Sequence, residues 1–105
     1  MNINTSYAAG RLTIYLAGEL DHHEARNATR TIEELLDEYL PRDCVLDLSG
    51  LNFMDSSGIA VVINALRNMA QIEGKLLLTG ISPQPMKVFR ASGIDKLVEM
   101  KEAVL

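Results

Sequence analysis

Hydrophobic spacing along this chain changes period several times, and that alternation constrains the fold more than any other feature. Leu12, Ile14 and Leu16 alternate with Arg11, Thr13 and Tyr15, the period of two that marks a half-buried strand. With residues 3 to 8 upstream and a turn at Ala9-Gly10, this reads as a hairpin. From His22 to Tyr39 the apolar positions become Ala25, Ala28, Ile32, Leu35, Leu36 and Tyr39, spaced by threes and fours around Glu33, Glu34, Asp37 and Glu38. That spacing predicts an amphipathic helix of about 27 Å.

Pro41 ends the helix, and Cys44 to Leu48 is an apolar run of strand length. Ile59, Val62, Ile63, Leu66 and Met69 then mark a second helix. Its first half, Ile59 to Ile63, is apolar nearly all round and is expected to be buried. Gly74 stops it, and Lys75 to Thr79 reads as a strand covered on both faces. Ser82-Pro83 looks like a cap followed by proline at the first helical position, with Met86 and Phe89 as the buried stripe, Gly93 as the stop and a short last strand from Leu97 to Met100. The order strand, strand, helix, strand, helix, strand, helix, strand requires parallel crossovers. It therefore predicts an α/β layer on a mixed sheet, within one domain spanning residues 1–105.

Composition narrows the function. The net charge is −4 and the basic residues are scattered, which argues against nucleic acid as a partner. Cys44 is alone, so no internal disulfide can form, and a reducing interior is expected. The start, Met1 to Ser6, lacks the basic and apolar pattern of a leader, and no run approaches the roughly 18 apolar residues of a membrane span. A cytoplasmic protein without membrane association is the expectation.

Asp55-Ser56-Ser57-Gly58 lies between a strand and the second helix, which places Ser56 or Ser57 at a helix start. Unpaired backbone donors and the helix dipole favour negative charge there. Such a segment can simply cap the helix. It can also carry a phosphoryl group, whose charge the bare N–H groups would partly neutralise. Gly58, lacking a Cβ, would let another protein approach closely.

Four blocks carry a family resemblance: Gly18-Glu19-Leu20-Asp21-His22-His23; Asp47 through Ile59; Gly80-Ile81-Ser82-Pro83; and Phe89-Arg90-Ala91-Ser92-Gly93-Ile94. In order and spacing they resemble the anti-sigma factor antagonists of the STAS domain family, from about Arg11 to Met100. The Glu-Leu-Asp-His-His run is most similar to the sporulation branch. The resemblance implies a STAS domain, a mixed sheet of four to five strands packed with three to four α-helices. It also implies partner switching rather than enzymatic activity. An anti-sigma factor that is also an ATP-dependent serine kinase would phosphorylate Ser56, and a separate serine phosphatase would reverse this. The unphosphorylated form would bind the anti-sigma factor and release the sigma factor. Asp55, Ser56, Ser57, Gly58 and Ile59 would belong to the docking face, with Glu19 and Asp21, on the loop before the first helix, as acidic partner contacts. Ile59-Ala60 stands where the family often has Leu-Gly. Relatives also continue through a fuller last helix, so Lys101 to Leu105 is expected to be frayed.

Other readings are weaker. Asp21-His22-His23 invites a metal site, but Asp21 with Glu24 forms a capping box, the two histidines should point in different directions, and no other histidine exists. No metal or cofactor is expected. A serine hydrolase would need Gly-x-Ser-x-Gly, yet Gln84 occupies the last place after Gly80-Ile81-Ser82. Neither phosphate-binding glycine loop is present, so ATP should belong to the partner. Within the fold, the alternative is a STAS module serving stress-response signalling or a transport-associated assembly. Asp47 reads as the solvent-facing position of its strand, and Cys44 as a small buried hydrophobe.

Overall fold

The computed structural model describes residues 1–101. Strands β1 (Asn2–Ala8) and β2 (Arg11–Leu20) form the expected hairpin. Ala9 (φ 51°) and Gly10 (φ 82°) both take left-handed dihedrals, the two-residue turn whose twist suits a hairpin. Helix α1 (His22–Tyr39) leads to β3 (Asp43–Met54), α2 (Ser57–Gln71) to β4 (Lys75–Thr79), and α3 (Pro83–Ser92) with a short 3-10 turn to β5 (Glu99–Lys101). The sheet has five strands in the order β1-β2-β3-β4-β5. Only the first pair is antiparallel. Of the end expected to fray, Lys101 closes β5, and residues 102–105 lie outside the described residues.

The core is one-sided. Leu12, Ile14 and Leu16 of β2, Cys44, Leu46 and Leu48 of β3, and Leu76 and Leu78 of β4 are buried together with Ala28, Ile32 and Leu36 of α1, Val61, Val62, Ala65 and Met69 of α2, and Phe89 of α3. Each fully buried aliphatic side chain of this size contributes about 1.5–3 kcal/mol. On the opposite face of the sheet Tyr15 is 41% exposed and Leu77 and Thr79 are half-buried, so β4 is not covered on both faces as its leucine run suggests. Three consecutive leucines supply one more apolar residue than a one-sided strand uses. In α3 the buried stripe is Pro85 and Phe89, with Met86 half-buried, and the Ser82 hydroxyl donates to the Leu51 carbonyl instead of capping the helix.

β3 is far longer than its apolar run. The register with β2 shifts between Tyr15 and Ala17 and again between Gly18 and Glu19, so β3 bulges and continues to Met54. Asp47 serves this bulge: its carboxylate accepts from the Ser49 amide at 3.0 Å and the Ser49 hydroxyl at 2.6 Å. The consequence is positional. Leu20 and Met54 end side by side, and each strand runs directly into a helix start.

Candidate functional site

The carboxyl ends of β2 and β3 bring two helix N-termini together. At the first, Asp21 is extended (φ −100°, ψ −176°), and its carboxylate accepts from the amides of His23 at 3.0 Å and Glu24 at 3.1 Å. Glu24 does not reach back to complete a capping box. Its carboxylate lies 4.0 Å from the amino group of Met1.

At the second, Asp55 takes the role that position would give Ser56. Its amide donates to the Leu20 carbonyl at 3.2 Å. One carboxylate oxygen accepts from the Ser57 amide at 2.8 Å and the other from the His22 amide at 3.1 Å. A single side chain thus ties the start of α2 to the start of α1. Partial desolvation pushes the Asp55 pKa up, but the hydrogen bonds from the Ser57 amide and hydroxyl, the bond from the His22 amide and the nearby imidazole outweigh it and hold the group below its ordinary value.

Ser56 is left over. It has helical dihedrals (φ −62°, ψ −18°), which turn its side chain away from the amides an N-cap would reach, and its hydroxyl makes no capping bond. The residue is exposed. Ser57 is half-buried, and its amide donates to Asp55 at 2.8 Å. Of the two adjacent serines, Ser56 is the more exposed, beside two helix N-termini.

The neighbouring residues sort into surface and interior. Glu19 is exposed and sits not on a loop but in β2, paired in register with Phe53, which is 41% exposed. The bulge that lengthens β3 draws β2 along with it. Ile59 and Ile63 are half-buried and Ala60 is exposed, so the expectation that Ile59 to Ile63 is buried holds only for Val61 and Val62. Gly58 itself faces inward. A Cβ there would come within 2.5 Å of Met54 Sδ and 3.2 Å of Leu20 Cδ2, so its missing side chain serves internal packing and not the approach of another protein.

His22 and His23 do not diverge as expected: their rings lie against each other with centroids 3.9 Å apart. His22 Nδ1 is 4.0 Å from Asp55. Among the described residues no group of three or more His, Cys, Asp or Glu is arranged to hold a metal ion, and Asp21 spends its carboxylate on the helix cap. Cys44 is fully buried, and burial pushes its thiol up to about 12.

One residue that matters here escaped the sequence. Gln84 of α3 accepts from the Met54 amide at 2.8 Å and donates to the Met54 carbonyl at 2.9 Å. Because β4 pairs only with the first half of β3, Met54 has no strand on that side, and the Gln84 amide completes its backbone bonding just before Asp55. A lone glutamine in an ordinary helix carries no signal of this.

A family model for the STAS domain matches residues 2–104. The chain belongs to the STAS domain family. This STAS domain is 35% identical over 83 residues to the anti-sigma F factor antagonist of Lysinibacillus sphaericus, covering 79% of this chain and 71% of that one. It superposes on the anti-sigma factor antagonist SpoIIAA in its unphosphorylated form with a TM-score of 0.84 and 28% identity, over 98% of this chain and 89% of that one. Against the Bacillus cell fate determinant SpoIIAA in the phosphorylated form the TM-score is 0.75 at the same 28% identity, over 98% and 92% of the two chains. The mixed five-stranded sheet with three α-helices is the STAS fold. Among the described residues no helix is long and apolar enough to cross a membrane.

Proposed function

We propose that this protein is a sporulation-type anti-sigma factor antagonist whose unphosphorylated form binds an anti-sigma factor/serine kinase in the cytoplasm and frees the sigma factor. Phosphorylation of Ser56 switches that binding off, and a serine phosphatase restores it. The observation that carries this reading is the free, exposed hydroxyl of Ser56 at a helix start already capped by Asp55. Its acceptance of a phosphoryl group breaks no bond of the fold.

The docking face consists of Ser56 with Asp55, Ser57 and Ile59 around it and the acidic Glu19 and Asp21 alongside. Half-exposed Phe53 adds an apolar anchor. A partner seated flush on this corner excludes water. A phosphoserine carries about −1.5 to −2 charges, and trapping it without a dedicated cation costs more than the contact returns. The free protein keeps the phosphate hydrated and near the positive ends of two helix dipoles, so the modified form is tolerated alone and rejected in the complex. The chain contributes an acceptor and a surface; ATP and the general base for transfer belong to the kinase.

The test is intact mass and site mapping after incubation with the cognate anti-sigma kinase and ATP, with Ser56→Ala in parallel. One phosphate on Ser56, absent from the variant, is expected, together with loss of kinase binding. A phosphate on Ser57 would overturn the assignment of the site, and none while the kinase modifies another substrate would overturn the switch and leave constitutive binding.

A further inference from the structure

The two edges of the sheet are protected unequally. β5 is three described residues long and carries Glu99 and Lys101. β1 is seven residues long, six of them exposed, without a charge, a proline or a bulge, and its register with β2 is unbroken from Asn2↔Ala17 to Ala8↔Arg11. Charges, prolines and bulges are the usual devices that stop one sheet edge from pairing with another. β1 has none.

The free hydrogen-bonding groups of this edge follow from the turn. In a two-residue hairpin the residues flanking the turn, Ala8 and Arg11, form a hydrogen-bonded pair, and bonded pairs recur at every second position. Asn2, Asn4, Ser6 and Ala8 therefore bond to β2. Ile3, Thr5 and Tyr7 turn their amides and carbonyls outward. These same three residues lie opposite Leu16, Ile14 and Leu12, so their side chains share the core face of the sheet. At its end Tyr7 remains 46% exposed although its ring stacks on Tyr39 of α1 at 4.9 Å.

We propose that β1 is a self-pairing edge through which a second copy of this chain adds antiparallel, extending the sheet across a two-fold axis. The register that uses every free group centres on Thr5. Thr5 then faces Thr5 of the partner subunit, and Ile3 faces Tyr7 of the partner subunit on both sides of the axis. Each aliphatic side chain thereby covers a half-exposed aromatic ring, a favourable cross-strand pair. On the other face Asn4 meets Ser6 of the partner subunit, and no like charges oppose each other. The strand is complementary to its own reverse, which singles out a second copy over an unrelated partner. The inference is independent of the role of Ser56.

The test is sedimentation or light scattering of the whole chain from about 1 µM to about 1 mM, the range in which so small an interface acts. Amide exchange is followed over the same range. A concentration-dependent dimer is expected, with the amides of Ile3, Thr5 and Tyr7 slowing as it forms. Thr5→Pro removes an outward donor without touching a hairpin bond and should leave a folded monomer. Thr5→Lys places like charges on the axis and should shift the midpoint of association at least tenfold higher, even if the proline variant fails to fold. A wild type that stays monomeric throughout, a dimer that leaves those amides unprotected, or a Thr5→Lys protein that associates as wild type does would each overturn the proposal.

Discussion

At the start of α1 the Asp21 carboxylate accepts from two amides of its own helix, whereas at the start of α2 the residue in the equivalent position, Ser56, accepts from none. The difference begins in the backbone. Asp21 is extended and can reach forward, while Ser56 has already entered helical dihedrals, so the capping acceptor has moved one residue upstream to Asp55. A serine that capped its helix would have its hydroxyl bond replaced by bonds to phosphate oxygens on phosphorylation, which would rework the cap. Moving the cap to Asp55 separates the group that holds the helix start from the exposed hydroxyl of Ser56.

The largest effect is expected where α2 meets the sheet. Gly58→Val would drive a branched side chain into Met54 and Leu20, and overpacking of this kind costs about 1–3 kcal/mol. Urea denaturation should show the loss. The variant should also shift the first turn of α2, so weakened kinase binding by Gly58→Val would report on geometry and not on a lost contact. A variant as stable as the wild type would mean that Met54 can vacate the site and that the close approach is incidental.

Asp55 should come next, because it serves both helix starts. Its pKa is lowered in the folded state by bonds from Ser57 and His22 that outweigh desolvation. The sign follows: the unfolded chain binds a proton more readily, so the stabilisation is fully present above the unfolded aspartate value and is lost as the pH falls through the lower folded one. Asp55→Asn keeps one acceptor oxygen but does not titrate. Wild type should therefore lose more of its urea midpoint on acidification than Asp55→Asn does. Parallel curves for the two proteins would show that the bonds drawn from Asp55 do not depend on its charge.

The periodicity of the apolar residues was enough to lay out the order of strands and helices, because one-sided burial writes itself into spacing. It stopped short at β3, where Ser49-Gly50 and Asn52 interrupt the apolar run; a bulge and two register shifts carry the strand through them, and neither has a spacing signature. Glu19 was misplaced onto a loop for the same reason. The site was legible as a helix start flanked by Asp and Ser. Which serine is exposed was not, since that rests on dihedrals and packing. The family blocks pointed to Ser56, and the geometry shows that serine exposed and without a capping bond. Gly58 illustrates the opposite failure: a missing side chain permits close approach on either side, and only the neighbouring Met54 decides which. Gln84 acts across thirty positions on a backbone segment, beyond the reach of any local pattern.

The smallest expected effect is the sharpest statement of the comparison. Replacing an N-cap Ser or Asp by Ala typically costs about 1 kcal/mol, because an amide at the helix start loses its acceptor. Asp21→Ala removes an acceptor shared by His23 and Glu24 and should cost about that much. Ser56→Ala removes a hydroxyl that holds no amide, on an exposed residue, and should change stability by no more than about 0.5 kcal/mol in either direction. The paired urea measurements need no partner protein, and they bear directly on the switch. A near-silent Ser56→Ala means that its oxygen is spare in the unmodified fold, so a phosphoryl group attached there displaces nothing and its effect is confined to what docks on the surface. A loss equal to that of Asp21→Ala would mean that the hydroxyl caps α2 after all, and phosphorylation would then act by rearranging the bonds of the helix start, a mechanism written into the fold rather than onto it.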